Sequence, residues 1–346
     1  RAALAEVISR LFLIGGLLIV LHFKLGLNGV LIATVISGAS SFFFHFLFAR
    51  PYAKITFAWD WTLWKKIISL SWPLAVTIVL NLIYLRADII FLSIFKGASE
   101  VGLYAAAYRV VDVLTTLPFM FAGLILPVLT AAWLESKKEY FQRVLQKSFD
   151  FMAILAFPLI VGGHFLAEPV IVAVAGEEFY EAGPILNLLI IAVAAIFLGT
   201  MFSHAVIALN KQRKLIVYYV FTSASSLVAY LILIPRFSYF GAAAVTIYSE
   251  ALIAIFSAYC VYKYSRYFPK LKVLFKSMLA SIIMGVFLYY YPAQFQAGTL
   301  KLILTISLAS AIYFLFLFIF KGIRKGDLKA ILKKSSSGQI YGPSGL

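Results

Sequence analysis

Runs of about 20 apolar residues follow one another along almost the whole chain. A bilayer has a hydrocarbon core about 30 Å thick, which an α-helix of about 20 apolar residues crosses. A transmembrane β-barrel would instead show strands of about ten residues with alternating polarity. We therefore predict an all-α, polytopic membrane protein with ten transmembrane helices, at 3–22, 29–49, 67–95, 101–131, 148–175, 183–208, 215–234, 240–262, 277–295 and 302–320.

Composition excludes the other broad classes of protein. Hydrophobic residues make up 63% of the chain and charged residues 13%, whereas a soluble domain has about 25% charged residues. The 30 basic and 14 acidic residues give a net charge of +16, which in a membrane protein indicates basic cytoplasmic loops rather than a nucleic-acid partner. Cys260 is the only cysteine, and the four histidines lack metal-ligand spacing. We therefore predict no disulfide, no metal and no cofactor.

The basic residues alternate between successive breaks in the apolar pattern. The segments after the second, fourth, sixth, eighth and tenth spans are rich in Lys and Arg, whereas the other breaks hold only Lys24, Lys96, Arg236 and Lys301. Because positively charged loops resist translocation, this alternation predicts a multi-pass protein of the cytoplasmic membrane with both chain ends in the cytoplasm. The polar tail 321–346 is expected to be cytoplasmic and disordered.

The long break at 50–66 contains Trp59, Trp61 and Trp64 beside the basic pair Lys65 and Lys66. Tryptophan next to lysine is typical of a segment that lies at the lipid headgroups. A plain amphipathic linker is the alternative interpretation.

The chain contains an internal repeat. LNGVLIATVISGAS, beginning at Leu27, aligns with YFGAAAVTIYSEAL, beginning at Tyr239, so that Gly29 matches Gly241 and Thr34 matches Thr246. The first two spans therefore correspond to the seventh and eighth. We predict two six-helix lobes of which the first is truncated, with about 140 residues missing upstream. The predicted units are the last two helices of the first lobe at 1–49, a complete lobe at 67–262, two further helices at 277–320 and the tail.

Several motifs carry a resemblance to a known family. The segment from KKIISLSWP to VGLYAAAYRVVD has a basic lead-in, an S-x-P motif, a mid-helix Asp and a V-G-x-Y-x-x-A-x-R pattern. Together with ALNKQRK and IPRFSYFGAAAVT, this segment resembles the polysaccharide-biosynthesis flippases of the multidrug/oligosaccharidyl-lipid/polysaccharide exporter superfamily. The resemblance implies a fourteen-span, two-lobe transporter, not an enzyme. It would carry a polyprenyl-pyrophosphate-linked oligosaccharide by alternating access, with membrane lipids and polysaccharide-assembly proteins as further partners.

In related flippases the central cavity is cationic and the first two helices of each lobe line it, which here implies helices 67–95 and 101–131. Charges in a membrane span need a partner, a wet cavity or a route to the headgroups. Arg109 lies deep in the fourth span and is the first candidate for pyrophosphate binding, although Asp112, three residues on, could neutralise it within the helix. Arg86 and Asp88 are about 200° apart around their helix and must face different surroundings.

Three further residues complete the candidate site. Tyr104 and Tyr108 are one turn apart beside Arg109 and suit a sugar-pyrophosphate, although tyrosine is also common at membrane interfaces. Glu250 lies near the middle of its span without a basic neighbour in that helix. It could couple transport to an ion, or it could be protonated and structural.

Two other functions remain open. A multidrug or cation antiporter of the same superfamily would favour an acidic cavity. A membrane polysaccharide polymerase or glycosyltransferase would need a sizeable extramembrane loop, and every predicted outer break is short.

Overall fold

A computed structural model describes residues 2–51, 59–291 and 298–322. Within these ranges the chain is helical and has nine helices that are long and apolar enough to cross a membrane. The chain divides into two compact units, Arg1–Ser69 and Leu70–Leu346. The helices are α1 (Ala2–His22), α2 (Gly26–Ala49), α3 (Trp61–Phe95), α4 (Ala98–Leu134), α5 (Lys138–Ala175), α6 (Gly183–Ala208), α7 (Gln212–Ser265), α8 (Lys272–Tyr290) and α9 (Thr299–Ile319), with a short 3₁₀ helix at Glu177–Ala182.

The first unit contains an antiparallel pair, α1 and α2. Gly16 lies against Ala33, where a Cβ on the glycine would come within 2.9 Å of the alanine side chain. The Ser37 hydroxyl donates a hydrogen bond to the carbonyl oxygen of Ser9 at 2.8 Å. Small residues at such a contact let two helix backbones approach closely in an apolar environment.

The longest helix, α7, is a helical hairpin. A straight helix of its 54 residues would be about 80 Å long, yet the rings of Tyr218 and Phe256 stack with centroids 4.6 Å apart. The chain reverses at Ser238, which has φ 51° and ψ −134°, three residues after Pro235. The predicted count of ten spans is therefore one higher than the nine helices of the described chain, because the seventh and eighth spans form the two arms, 212–237 and 239–265, of one continuous element.

Gly241 closes this hairpin. A Cβ at Gly241 would lie 2.4 Å from the carbonyl oxygen of Leu233, so only glycine allows the arms to approach this closely. Gly29, its counterpart in the proposed repeat, also packs against the preceding helix. A Cβ at Gly29 would lie 3.0 Å from the side chain of Val20. The repeat and the predicted units stay predictions, supported by this shared packing.

The core of the second unit is built around α6. Apart from a few polar residues its sequence is apolar, so most of the helix is buried against α4, α5 and both arms of α7. The last two helices pack on the outside of α5. There the Tyr313 hydroxyl of α9 donates to the carbonyl oxygen of Ile154 at 2.7 Å.

Three predicted cytoplasmic breaks lie at one end of this unit. The side chain of Gln146 accepts hydrogen bonds from the Tyr267 hydroxyl at 2.7 Å and from the Lys270 backbone N–H. The Lys211 ammonium lies 5.2 Å from the centre of the Tyr264 ring. The starts of α5 and α7 therefore adjoin the segment between α7 and α8. This agrees with the alternation of basic residues, which predicts that these three breaks lie on the same side of the membrane. Their side of the membrane stays a prediction, and the tail from residue 323 onward and Lys54 lie outside the described residues.

Candidate functional site

The second unit encloses a cavity of about 330 Å³ between α3, α4, α6 and the two arms of α7. Its walls are largely apolar, which follows from the membrane-spanning sequence of all four elements. Polar side chains interrupt this lining at a few positions. They include Thr77, Asn81, Arg86, Asp112, Thr115, Thr200, Ser203, His204, Gln212 and Glu250.

An ion pair between α3 and α4 lies in the cavity wall. The Nη2 atom of Arg86 donates to Oδ1 of Asp112 at 2.9 Å. Both side chains remain nearly half exposed, at 47% and 43%. The guanidinium is therefore accessible to a ligand although one of its nitrogens is engaged.

Tyr108 supports the Arg86 guanidinium from the side. Its ring centre lies 5.2 Å from Cζ of Arg86, within the range of a cation–π interaction. The ring itself is buried, and its hydroxyl donates to the carbonyl oxygen of Leu85 at 3.3 Å. The orientation of Arg86 is thus held by an aromatic surface as well as by Asp112.

Hydroxyl groups of neighbouring helices tie α3 to the rest of the unit. Ser223 donates to the carbonyl oxygen of Leu80 at 2.9 Å, and Tyr230 donates to that of Tyr84 at 2.6 Å. Both donors lie on the first arm of α7. In an apolar medium such bonds place a helix in a defined register, because the alternative is an unsatisfied hydroxyl.

Asp88 and Tyr104 lie outside the cavity lining and form a buried contact between α3 and α4. The Tyr104 hydroxyl donates to Oδ2 of Asp88 at 2.6 Å, and the Ile89 backbone N–H donates to Oδ1 at 2.7 Å. Both side chains are fully buried. As the spacing predicts, Arg86 and Asp88 face different surroundings, and the geometry of Asp88 indicates a structural role rather than contact with a ligand.

Arg109 is exposed and lies outside the cavity lining. Within the described part of the chain it forms no ion pair, so the alternative in which Asp112 neutralises it along α4 is not observed. Asp112 instead pairs with Arg86, whose guanidinium reaches it from the adjacent helix. Spacing along one helix could not identify this partner, since it belongs to a different element. Arg10 and Glu6, one turn apart on α1, do form an ion pair within one helix, at 2.9 Å.

Glu250 lies in the wall of the cavity on the second arm of α7. Its side chain is 7% exposed, and Oε1 has no hydrogen-bond partner among the described residues. Tyr84 of α3 lines the same cavity. An ionised carboxylate would be costly here, so the arrangement favours a neutral carboxyl group.

Sequence reasoning missed the polar residues that α6 contributes. Thr200, Ser203 and His204 recur on one face of an otherwise apolar helix. The His204 ring nitrogen Nδ1 lies 2.9 Å from the carbonyl oxygen of Thr200, which leaves Nε2 for other partners. This spacing of polar residues could have identified the face that α6 turns to the cavity. Across the described ranges, no group of three or more His, Cys, Asp or Glu side chains is placed to hold a metal ion.

A family profile described as "Polysaccharide biosynthesis protein" matches residues 1–184, more than half of the chain. The chain belongs to this polysaccharide biosynthesis family. One relative is the teichuronic acid biosynthesis protein TuaB of Bacillus subtilis, 29% identical over 147 residues, which are 41% of this chain and 29% of TuaB. Another is the probable flippase AglR of Haloferax volcanii, 24% identical over 210 residues, which are 60% of this chain and 44% of AglR. The matched part of this family member thus spans less than half of either relative.

A solved structure shares the fold of this polysaccharide biosynthesis family member. It is that of the lipid II flippase MurJ in an inward closed conformation, with a TM-score of 0.72 and 19% sequence identity. The match covers 95% of this chain and 68% of MurJ. The predicted fold class, an all-helical polytopic membrane protein, is confirmed.

Proposed function

We propose that the protein containing this chain moves a polyprenyl-pyrophosphate-linked oligosaccharide across the cytoplasmic membrane by alternating access. Family membership, the flippase name of AglR and the fold shared with MurJ support transport of a lipid-linked saccharide in general terms. No catalytic step is part of the proposal. Its partners are the lipid-linked oligosaccharide, membrane lipids and other polysaccharide-assembly proteins.

The guanidinium of Arg86 in the cavity wall is the observation that supports an anionic headgroup as the ligand. Arginine binds phosphate oxygens through a planar fork of N–H donors, and a diphosphate provides several such oxygens. Asn81 and Ser203 line the same cavity and can hydrogen-bond sugar hydroxyls. A volume of about 330 Å³ falls at the lower end of the range for ligand sites and suits the diphosphate with adjoining sugar.

The other predicted residues take different parts in this proposal. Tyr108 and Asp112 contact Arg86 directly, and Arg109 is proposed as a second cationic contact outside the cavity lining. Asp88 and Tyr104 hold α3 against α4 and act on the substrate only through the position of Arg86.

The proposal predicts that Arg86→Ala abolishes export of the lipid-linked glycan at normal protein levels. Arg86→Lys should restore export in part, because it keeps the charge and loses the fork. Export is measured as surface glycan in cells that depend on the protein, with protein level checked in isolated membranes. Arg236→Ala is the matched control, since Arg236 is exposed and lies outside the cavity lining. Normal export by Arg86→Ala would contradict an anion site at this cavity.

A multidrug or cation antiporter is the second candidate, and Glu250 is the observation that favours it. An acidic group in a cavity can bind a cationic drug or exchange an ion. In that case Glu250→Gln would remove resistance to cationic drugs, whereas Arg86→Ala would leave glycan export unchanged.

A further inference from the structure

We infer that Asp112 competes with the anionic ligand for Arg86, so that only an anion that binds the guanidinium more strongly than the carboxylate does can occupy the site. This inference rests on the proposed function, because it concerns the same guanidinium. It assigns to Asp112 a role in setting the affinity of the site rather than in contacting the ligand. Three features of the Arg86 contacts support this role.

First, the contact between Arg86 and Asp112 engages a small part of each group. One nitrogen, Nη2, meets one oxygen, Oδ1, at 2.9 Å. A bidentate pair would use two nitrogens and two oxygens and would be considerably stronger. A ligand that offers two oxygens to the fork can therefore displace the carboxylate.

Second, Asp112 is not needed to keep Arg86 in place. The buried ring of Tyr108 lies against the guanidinium at 5.2 Å, and the Tyr108 hydroxyl bonds to the backbone next to Arg86, at Leu85. Asp112 is itself fixed through α4, where its backbone carbonyl accepts hydrogen bonds from Thr115 and Thr116. The carboxylate can thus release the guanidinium while both residues keep their positions.

Third, exchange of anions at Arg86 favours multiply charged ligands. A singly charged anion replaces one carboxylate contact with a similar one and leaves Asp112 without its partner. A pyrophosphate brings more charge and a bidentate geometry, so it gains attraction beyond what the pair loses. Asp112 therefore weakens the binding of every anion at Arg86, and a pyrophosphate displaces the carboxylate because it binds the guanidinium more strongly.

The test measures binding of inorganic pyrophosphate and of dimethyl phosphate, a singly charged phosphodiester, to the purified protein by calorimetry. Asp112→Asn preserves the shape of the side chain and removes its charge. We expect this variant to bind pyrophosphate about fivefold more tightly than the unmodified protein. If the unmodified protein gives no measurable heat of binding, the variant should give one. Dimethyl phosphate should also bind more tightly, but by no more than pyrophosphate does, because repulsion by the Asp112 carboxylate scales with the charge of the ligand.

Glu178→Gln is the matched control, because it removes one exposed carboxylate outside the cavity lining and should change neither affinity. Unchanged or weaker binding of both ligands by Asp112→Asn, with a normal thermal unfolding midpoint, would overturn the competition. If Asp112→Asn unfolds, Asp112→Ser provides the same comparison.

Arg86→Gln separates this inference from the proposed function. Loss of pyrophosphate binding in Arg86→Gln, without tighter binding in Asp112→Asn, would overturn the competition and leave the anion site intact. Pyrophosphate binding that does not depend on Arg86, or that is absent from every variant, would overturn both.

Discussion

The ring of Tyr108 and its hydroxyl group contribute differently to the cavity. The ring supports the Arg86 guanidinium, whereas the hydroxyl makes a single hydrogen bond of 3.3 Å to Leu85. Tyr108→Phe keeps the ring and should retain most glycan export. Tyr108→Leu removes the cation–π contact, worth about 0.5–2 kcal/mol, and should reduce export several-fold at equal protein level. Equal export by the two variants would show that the aromatic face is not required.

Glu250 is buried, and its Oε1 has no hydrogen-bond partner within the described ranges of the chain. If the carboxyl is neutral, Glu250→Gln preserves its size and its capacity for hydrogen bonding. We expect the free energy of unfolding to change by less than about 1 kcal/mol. Glu250→Ala should instead lower it by about 2 kcal/mol or more, because it leaves a cavity beside Tyr84.

Thermal unfolding in detergent, followed by circular dichroism, distinguishes these two variants. A large loss of stability in Glu250→Gln would contradict a neutral carboxyl. It would indicate that the ionised form is paired with a cation in the folded protein.

At the scale of elements, the reversal of α7 depends on Gly241. The added methyl group of Gly241→Ala would meet the backbone of Leu233 at 2.4 Å, and backbone cannot rotate away as a side chain can. Overpacking of this kind typically costs about 1–3 kcal/mol, so the unfolding midpoint should fall by several degrees. Gly123→Ala is the control, because no heavy atom lies within 4 Å of a Cβ at that position. If the unfolding midpoint falls equally in both variants, the close approach at Gly241 is not what makes that position sensitive.

Most helices could be predicted from the sequence, because length and apolarity alone determine which segments can cross a membrane. The reversal at Ser238 was placed correctly between the seventh and eighth spans, where Pro235 and Arg236 interrupt the apolar run. The helical character of the reversal was not predictable. It depends on a single residue with positive φ, and serine gives no signal for that conformation.

The candidate site was less predictable than the fold, and Arg86, Asp112 and Arg109 show why. Helical spacing identifies which charges can meet within one helix, and it therefore offers Arg109 as one possible partner of Asp112. It carries no information on the rotation of α3 against α4, which brings Arg86 to Asp112. That rotation is fixed by contacts between elements distant in sequence, such as Tyr230 with Tyr84.

At the scale of the whole molecule, the charge alternation predicts which loops face the cytoplasm, and cysteine labelling can test it. Cys260 is buried at 1% exposure in an apolar cluster, so a Cys260→Ala background should remove the native thiol and keep the position apolar. Single cysteines at Lys66, Lys211 and Lys272 should then be blocked only by a membrane-permeant thiol reagent. Cysteines at Lys96 and Lys301 should be blocked by an impermeant reagent added to intact cells.

The physical reason is the cost of moving Lys- and Arg-rich loops across the membrane during insertion, which retains the basic breaks in the cytoplasm. The experiment contains its own control, since both reagents should label all five positions once the cells are permeabilised. Because the spans alternate in direction, a single missed or added span would invert every position that follows it. Labelling of Lys272 from outside, with Lys211 labelled only from inside, would place the error between these two residues and would mean that the arms of α7 do not both cross the membrane.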